Sequence, residues 1–141
     1  MRSLCLSLAG AACLLAAGAS AGERMIGKSI GDTFSGMTLD GIYNRGFLFS
    51  ETYFEDGGIR YHDINRSDSG EWSVRGDTFC TFYQDQPGAC FVVERDGTNC
   101  FTFFEAIEGK DGVVSAAPQW TSRGWNRERQ PTCPTPPETE I

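Results

Sequence analysis

The chain has 141 residues and a formal net charge of −7, with 12 basic and 19 acidic side chains. An acidic chain of this size has no basic surface to neutralise phosphates, so neither nucleic acid nor an anionic membrane is an expected partner. It has one histidine, and its last four cysteines lie ten or more residues apart. That spacing lacks the close pairs of a zinc site, so no metal or cofactor is implied.

The N-terminus runs Met1, Arg2, a leucine- and alanine-rich stretch from Leu4 to Ala17, and then Ala19-Ser20-Ala21. A charged start, a short apolar run and small residues before the first acidic side chain predict a secretory signal peptide over 1–21, cleaved after Ala21. Acylation at Cys13 is the rival reading, but Gly10-Ala11-Ala12 lacks the usual leucine and the apolar run continues past the cysteine. Cleavage leaves 120 residues with a formal charge of −8, enough for one domain, over 22–130, with a proline-rich tail over 131–141. No later stretch reaches transmembrane length. Cys80, Cys90, Cys100 and Cys133 remain, and an even number in an exported domain predicts two disulfides and a periplasmic or secreted location.

From Ile30 to about Ala106, short runs rich in Phe, Tyr, Val, Trp and Thr alternate with glycine-containing turns such as Asp56-Gly57, Gly76-Asp77 and Asp96-Gly97. No segment of ten or more residues keeps a helical apolar period. The pattern predicts an all-β fold, an antiparallel meander of seven or eight strands closed as a small barrel or folded as a sandwich.

A two-residue turn at Asp56-Gly57 pairs Tyr53 with Arg60 and Glu51 with His62, which collects Glu51, Tyr53, Arg60 and His62 on one polar face. An imidazole beside a carboxylate and a phenol is a candidate binding or acid–base cluster. The Asp63-to-Glu71 stretch has oxygen-bearing residues at alternate positions, but Asp68 and Val74 stand where a calcium loop needs glycine and glutamate. Gly70-Glu71-Trp72 is similar to the Gly-x-Trp of lipocalin-like barrels, in which the tryptophan plugs one end, although there it belongs to the first strand. Arg75-Gly76-Asp77 spells an adhesion tripeptide and also an ordinary hairpin turn. A two-residue turn there puts Trp72 and Val74 on the face of Phe79; a three-residue turn puts them with Cys80 and Phe82.

A hairpin centred on Asp85 sets Cys80 opposite Cys90 and predicts a bridge between them. A two-residue turn at Asp96-Gly97 sets Cys100 opposite Val93 on the other face, which leaves Cys133 as its partner. The loop between the first pair offers Tyr83, Gln84, Asp85 and Gln86 as contact residues for a partner. The succession Gly31-Asp32-Thr33, Asp56-Gly57, Gly70-x-Trp72, Gly76-Asp77, Cys80, Cys90 and Arg95-Asp96-Gly97 resembles a group of small exported bacterial proteins known only as domains of unknown function. The resemblance spans roughly residues 27–105, rests on turn glycines, one tryptophan and a cysteine pair, and supplies no active residues. These features together predict a non-catalytic envelope domain that binds a protein partner or a small apolar ligand. The alternatives are a protease-inhibitor-like barrel and a small hydrolase using Glu51 and His62.

Overall fold

The computed structural model describes residues 22–134; the expected signal segment, 1–21, and residues 135–141 lie outside them. A two-residue exposed strand, β1 (Glu23–Arg24), pairs with a later strand, and runs that largely alternate inward and outward side chains form β2 (Thr38–Tyr43), β3 (Leu48–Tyr53), β4 (Gly58–Asp63) and β5 (Ser67–Arg75). β6 (Thr78–Tyr83), β7 (Ala89–Arg95), β8 (Phe101–Glu108) and β9 (Val114–Asn126) follow. From β2 onward each strand is antiparallel to the next, and β9 returns to pair with β2. The expected meander is therefore a closed eight-stranded up-and-down barrel, with no free edge between its first and last strands. Its seam sets Gly41 against Gly124. A Cβ on Gly124 would lie 2.4 Å from Leu39 Cδ2, and one on Gly41 2.4 Å from the Phe49 ring, so these glycines let two core side chains fold across the closure.

The segment before β2, which the sequence assigns to the start of the strand pattern, is instead a helix, α1 (Gly27–Phe34). Eight residues are too few for a clear period, but Ile30 and Phe34, four apart on one face, are both fully buried. Asp77 Oδ1 accepts a hydrogen bond from the Gly27 backbone N–H at 2.8 Å, and Ser29 Oγ accepts from that of Ile26 at 3.3 Å. The Arg-Gly-Asp turn thus caps the helix from across the barrel end. Phe34 drops into the interior, its ring centroid 5.0 Å from both Phe79 and Phe101 and 5.5 Å from Tyr53. α1 therefore plugs the end that holds the β3–β4, β5–β6 and β7–β8 turns. The opposite end carries the other turns and is open.

Three turns decide which residues face inward. At Arg75–Thr78 the turn has two residues, with Gly76 at φ +58°, so Trp72 and Val74 share the inner face with Phe79. Trp72 lies near the plugged end, stacked on Phe79 at 5.9 Å with its Nε1–H donating to the Phe54 carbonyl at 2.9 Å. The two-residue turn expected at Asp56-Gly57 is a three-residue one. Gly57 N–H donates to Phe54 O at 3.0 Å, Phe54 N–H donates to Gly58 O at 2.8 Å, and Gly57 sits at φ +90°. That single extra residue shifts the register by one, so Tyr53 pairs with Ile59 and Glu51 with Tyr61. The turn expected at Asp96-Gly97 is longer as well, and Val93 pairs with Phe103 rather than with Cys100.

Both expected disulfides are present, Cys80–Cys90 and Cys100–Cys133, with Cα–Cα distances of 4.0 and 4.9 Å. Cys100 does not lie on the opposite face, as expected. It closes the β7–β8 loop opposite Asp96, six residues along β7 from Cys90, a separation of about 20 Å at a strand's rise, and distance alone keeps the two bridges apart. Beside the second bridge, buried Asn99 donates from Nδ2 to the carbonyls of Asn126, Arg129 and Gln130 at 3.1 to 3.2 Å, and its Oδ1 accepts from Asn126 N–H at 2.8 Å. Thr132 Oγ1 donates to Asp96 O at 2.7 Å. The start of the proline-rich tail is thereby fixed under the plugged end.

Two losses of stability follow. Phe34→Ala removes the plug's anchor and should cost about 3–5 kcal/mol in a denaturant titration. Asn99→Ala strands the Asn126 N–H and three carbonyls, and should cost about 1–3 kcal/mol while both disulfides still form, as read by the mass of the oxidised chain.

Candidate functional site: an aromatic cavity at the open end

Above the Phe34 layer the barrel is not filled. A cavity of about 330 Å³ opens at the end opposite α1, walled by Phe49, Phe79, Phe91 and Phe103, with Gln86 and Pro87 at its mouth. The alternation that builds the core builds these walls too, because Phe49 on β3, Phe91 on β7 and Phe103 on β8 all occupy inward positions.

The same alternation carries a carboxyl inside. Glu51 lies between Phe49 and Tyr53 on the inward face of β3 and is exposed only toward the cavity. Tyr53 Oη donates to Glu51 Oε2, and Tyr83 Oη, from β6, donates to Glu51 Oε1. Loss of water raises the Glu51 pKa above the ordinary carboxylate value, and the two phenol hydrogen bonds only partly offset this. Burial, followed by the nearby Glu51 charge, raises both Tyr53 and Tyr83, so the two phenols remain hydroxyl donors.

Higher in the barrel Tyr43 Oη donates to Tyr61 Oη at 3.4 Å, and Tyr61 Oη donates to Asp63 Oδ2 at 2.7 Å. Burial raises both phenols, while the Tyr61 hydrogen bond, with help from backbone N–H groups, lowers Asp63. The four tyrosines of the chain thus all point inward. Glu105 lies at the mouth. Asp68, also at the open end, is buried, and Arg66 stands 3.7 Å from its Oδ2 and 3.9 Å from Asp63 Oδ2, over the Tyr61 ring. Phe47, Leu48 and Ile64 are exposed on the neighbouring turns and make an apolar lip.

Of the residues expected to form a site, the structure gathers Glu51, Tyr53, Tyr83 and Gln86 in or at the cavity. It does not gather the rest. His62 pairs with Ser50 on the outer face and its Nδ1 lies 2.9 Å from Ser67 Oγ, while Arg60 packs outside over the Phe54 ring at 5.5 Å. The Glu51–His62 pair is therefore split across the barrel wall, a direct result of the extra residue in the Asp56-Gly57 turn. Gln84 and Asp85 are exposed on the outside of their loop. The Asp63 carboxylate, first oxygen of the calcium-like stretch, instead caps a tight turn by accepting from Asn65 and Arg66 N–H at 2.7 and 2.9 Å.

Sequence reasoning missed Tyr43, Tyr61, Thr81, Ser122 and Glu105. The available signal was strand parity: Tyr43 follows Gly41, Tyr61 follows Ile59, Thr81 follows Phe79 and Glu105 follows Phe103, each two residues beyond an inward position of its own strand.

A carboxyl whose pKa is higher in the folded than in the unfolded chain favours folding least when it must ionise. The stability it withholds should therefore grow as pH rises from the ordinary value of 4.5 upward through the raised folded pKa. Glu51→Gln should match the wild type near pH 4 and become the more stable chain by pH 8 in paired urea titrations. No family model matches the chain, and neither a curated protein nor a solved structure matches it.

Proposed function

We propose that this chain is an exported bacterial-envelope domain that holds a small, largely apolar ligand in the open end of its barrel. The observation that carries this reading is the aromatic-walled cavity of about 330 Å³, with the Glu51 carboxyl held on its wall by two phenols and Glu105 at its mouth. A mostly apolar concavity with a few converging polar groups is the usual form of a small-molecule site. Two disulfides point to an oxidising, extracytoplasmic compartment. The charged start, apolar run and Ala19-Ser20-Ala21 at the N-terminus support export through a cleaved signal. Among the described residues no helix is long and apolar enough to cross a membrane.

Two rivals lose their main support. The hydrolase reading needs Glu51 beside His62, and they occupy opposite faces of the wall. The inhibitor reading needs Tyr83–Pro87 to act as one projecting loop, whereas only Gln84 and Asp85 are exposed on its outside and Tyr83, Gln86 and Pro87 line the cavity. A purely structural envelope role predicts no concave site at all.

The test is a titration of the oxidised protein with N-phenyl-1-naphthylamine, an uncharged aromatic dye that fluoresces on leaving water. The expected result is a saturable one-to-one rise that Ala89→Trp, which fills the mouth, abolishes while near-UV circular dichroism stays native-like. Absence of saturable binding, or binding unaffected by Ala89→Trp, would overturn the proposal.

A further inference from the structure

The charged groups that line the cavity are all of one sign. Among the described residues its lining includes two carboxyls, Glu51 and Glu105, and no lysine, arginine or histidine. On the open-end turns Arg66 is shared between Asp63 and Asp68, and neither it nor Arg45 or Lys110 lines the cavity. The lining itself is therefore acidic, on a chain that is acidic as a whole.

A carboxylate offers about four lone-pair directions, and the Tyr53 and Tyr83 hydroxyls occupy two of them at Glu51. Glu51 itself lines the cavity, beside the aromatic residues Tyr43, Phe49, Phe91 and Phe103. A ligand carboxylate placed there meets a second negative charge in a dry site and has no cation to balance either one. A neutral apolar ligand covers Glu51 without satisfying it. A cation answers both features, because it pairs with the carboxylate through its remaining lone pairs and is a favourable guest among the aromatic side chains of Tyr43, Phe49, Phe91 and Phe103.

We infer that the cavity selects a compact, mostly apolar ligand bearing a protonated amine, with the ammonium seated on Glu51 between the Tyr53 and Tyr83 hydroxyls. This rests on the cavity reading above and adds the chemistry of its ligand. The volume suits a body of one or two rings, and Thr81 and Ser122 add hydroxyls to the wall. Glu51 acts as the selecting group, and Tyr53 and Tyr83 hold it in one rotamer.

The test uses three ligands of one shape and different charge, tryptamine, 3-ethylindole and 3-indolepropionate, each displacing N-phenyl-1-naphthylamine from the oxidised protein. Tryptamine should bind at least about tenfold more tightly than 3-ethylindole, as expected for a charge-assisted hydrogen bond out of water. The carboxylate should bind more weakly than either. Within Glu51→Gln, tryptamine should lose its advantage over 3-ethylindole. Equal or tighter binding of 3-indolepropionate by the wild type overturns the inference, as does an amine advantage that survives Glu51→Gln. The wild-type charge series decides the matter even if the variant fails to fold. Dye binding without an amine preference refutes this inference alone, whereas a dye that never binds refutes the cavity reading together with it.

Discussion

The Phe34 ring, set against Phe79, Phe101 and Tyr53 inside the barrel, is the contact on which the rest of the architecture depends. An eight-stranded barrel has an interior just wide enough for its own side chains or for one small ligand. α1 resolves that choice by position. Where Ile30 and Phe34 enter, the interior is packed solid; beyond their reach it is left as a cavity with one mouth. The helix that positions Phe34 is short, and its first N–H is secured by Asp77 from the β5–β6 turn. The plug and the barrel therefore hold each other in place.

Glu51 marks the boundary between these two halves. A carboxyl in an apolar interior is destabilising unless its oxygens are satisfied. Here two phenols, one from its own strand and one from three strands away, satisfy part of the need, and no cation satisfies the remainder. Asp68 is buried as well and Glu105 lines the mouth, but Glu51 is the carboxyl held by two phenols on the cavity wall, and a polar exception of that kind within an apolar core is what a site grafted on a stable scaffold looks like.

Strand existence, the antiparallel order and the Cys80–Cys90 pairing were legible, because each depends on features that lie close together in the sequence: β-prone runs, turn residues and symmetric spacing. The faces were not. Side-chain parity has a period of two, so one unseen residue in a turn reverses every assignment beyond it. At Asp56-Gly57 the Asp-Gly pair fills the last two places of a three-residue loop, and the following Gly58 was the only local sign of it. The same hydrogen-bond pattern recurs at Gly46 and Gly112. Reading Glu51 as a neighbour of His62 was therefore an error of one residue in a turn rather than in the choice of residue. Cys100 shows the converse: its partner was right although its expected face was wrong, because the long separation along β7 and the tail's return decide the pairing. α1 escaped notice because two apolar residues four apart make too little of a period.

The chain meets the plugged pole twice. Gly22 enters beside Asp96 and Glu94, and Cys133 is bonded to Cys100 in the neighbouring loop. The mouth lies at the other pole, about 20 Å away along strands of six or seven residues. Whatever is joined to either end of the folded barrel, whether a surface, a tag or a second domain, must hang from the pole away from the cavity. The barrel thus behaves as an oriented cup, and fixing it by either end leaves the opening turned outward into the surrounding fluid.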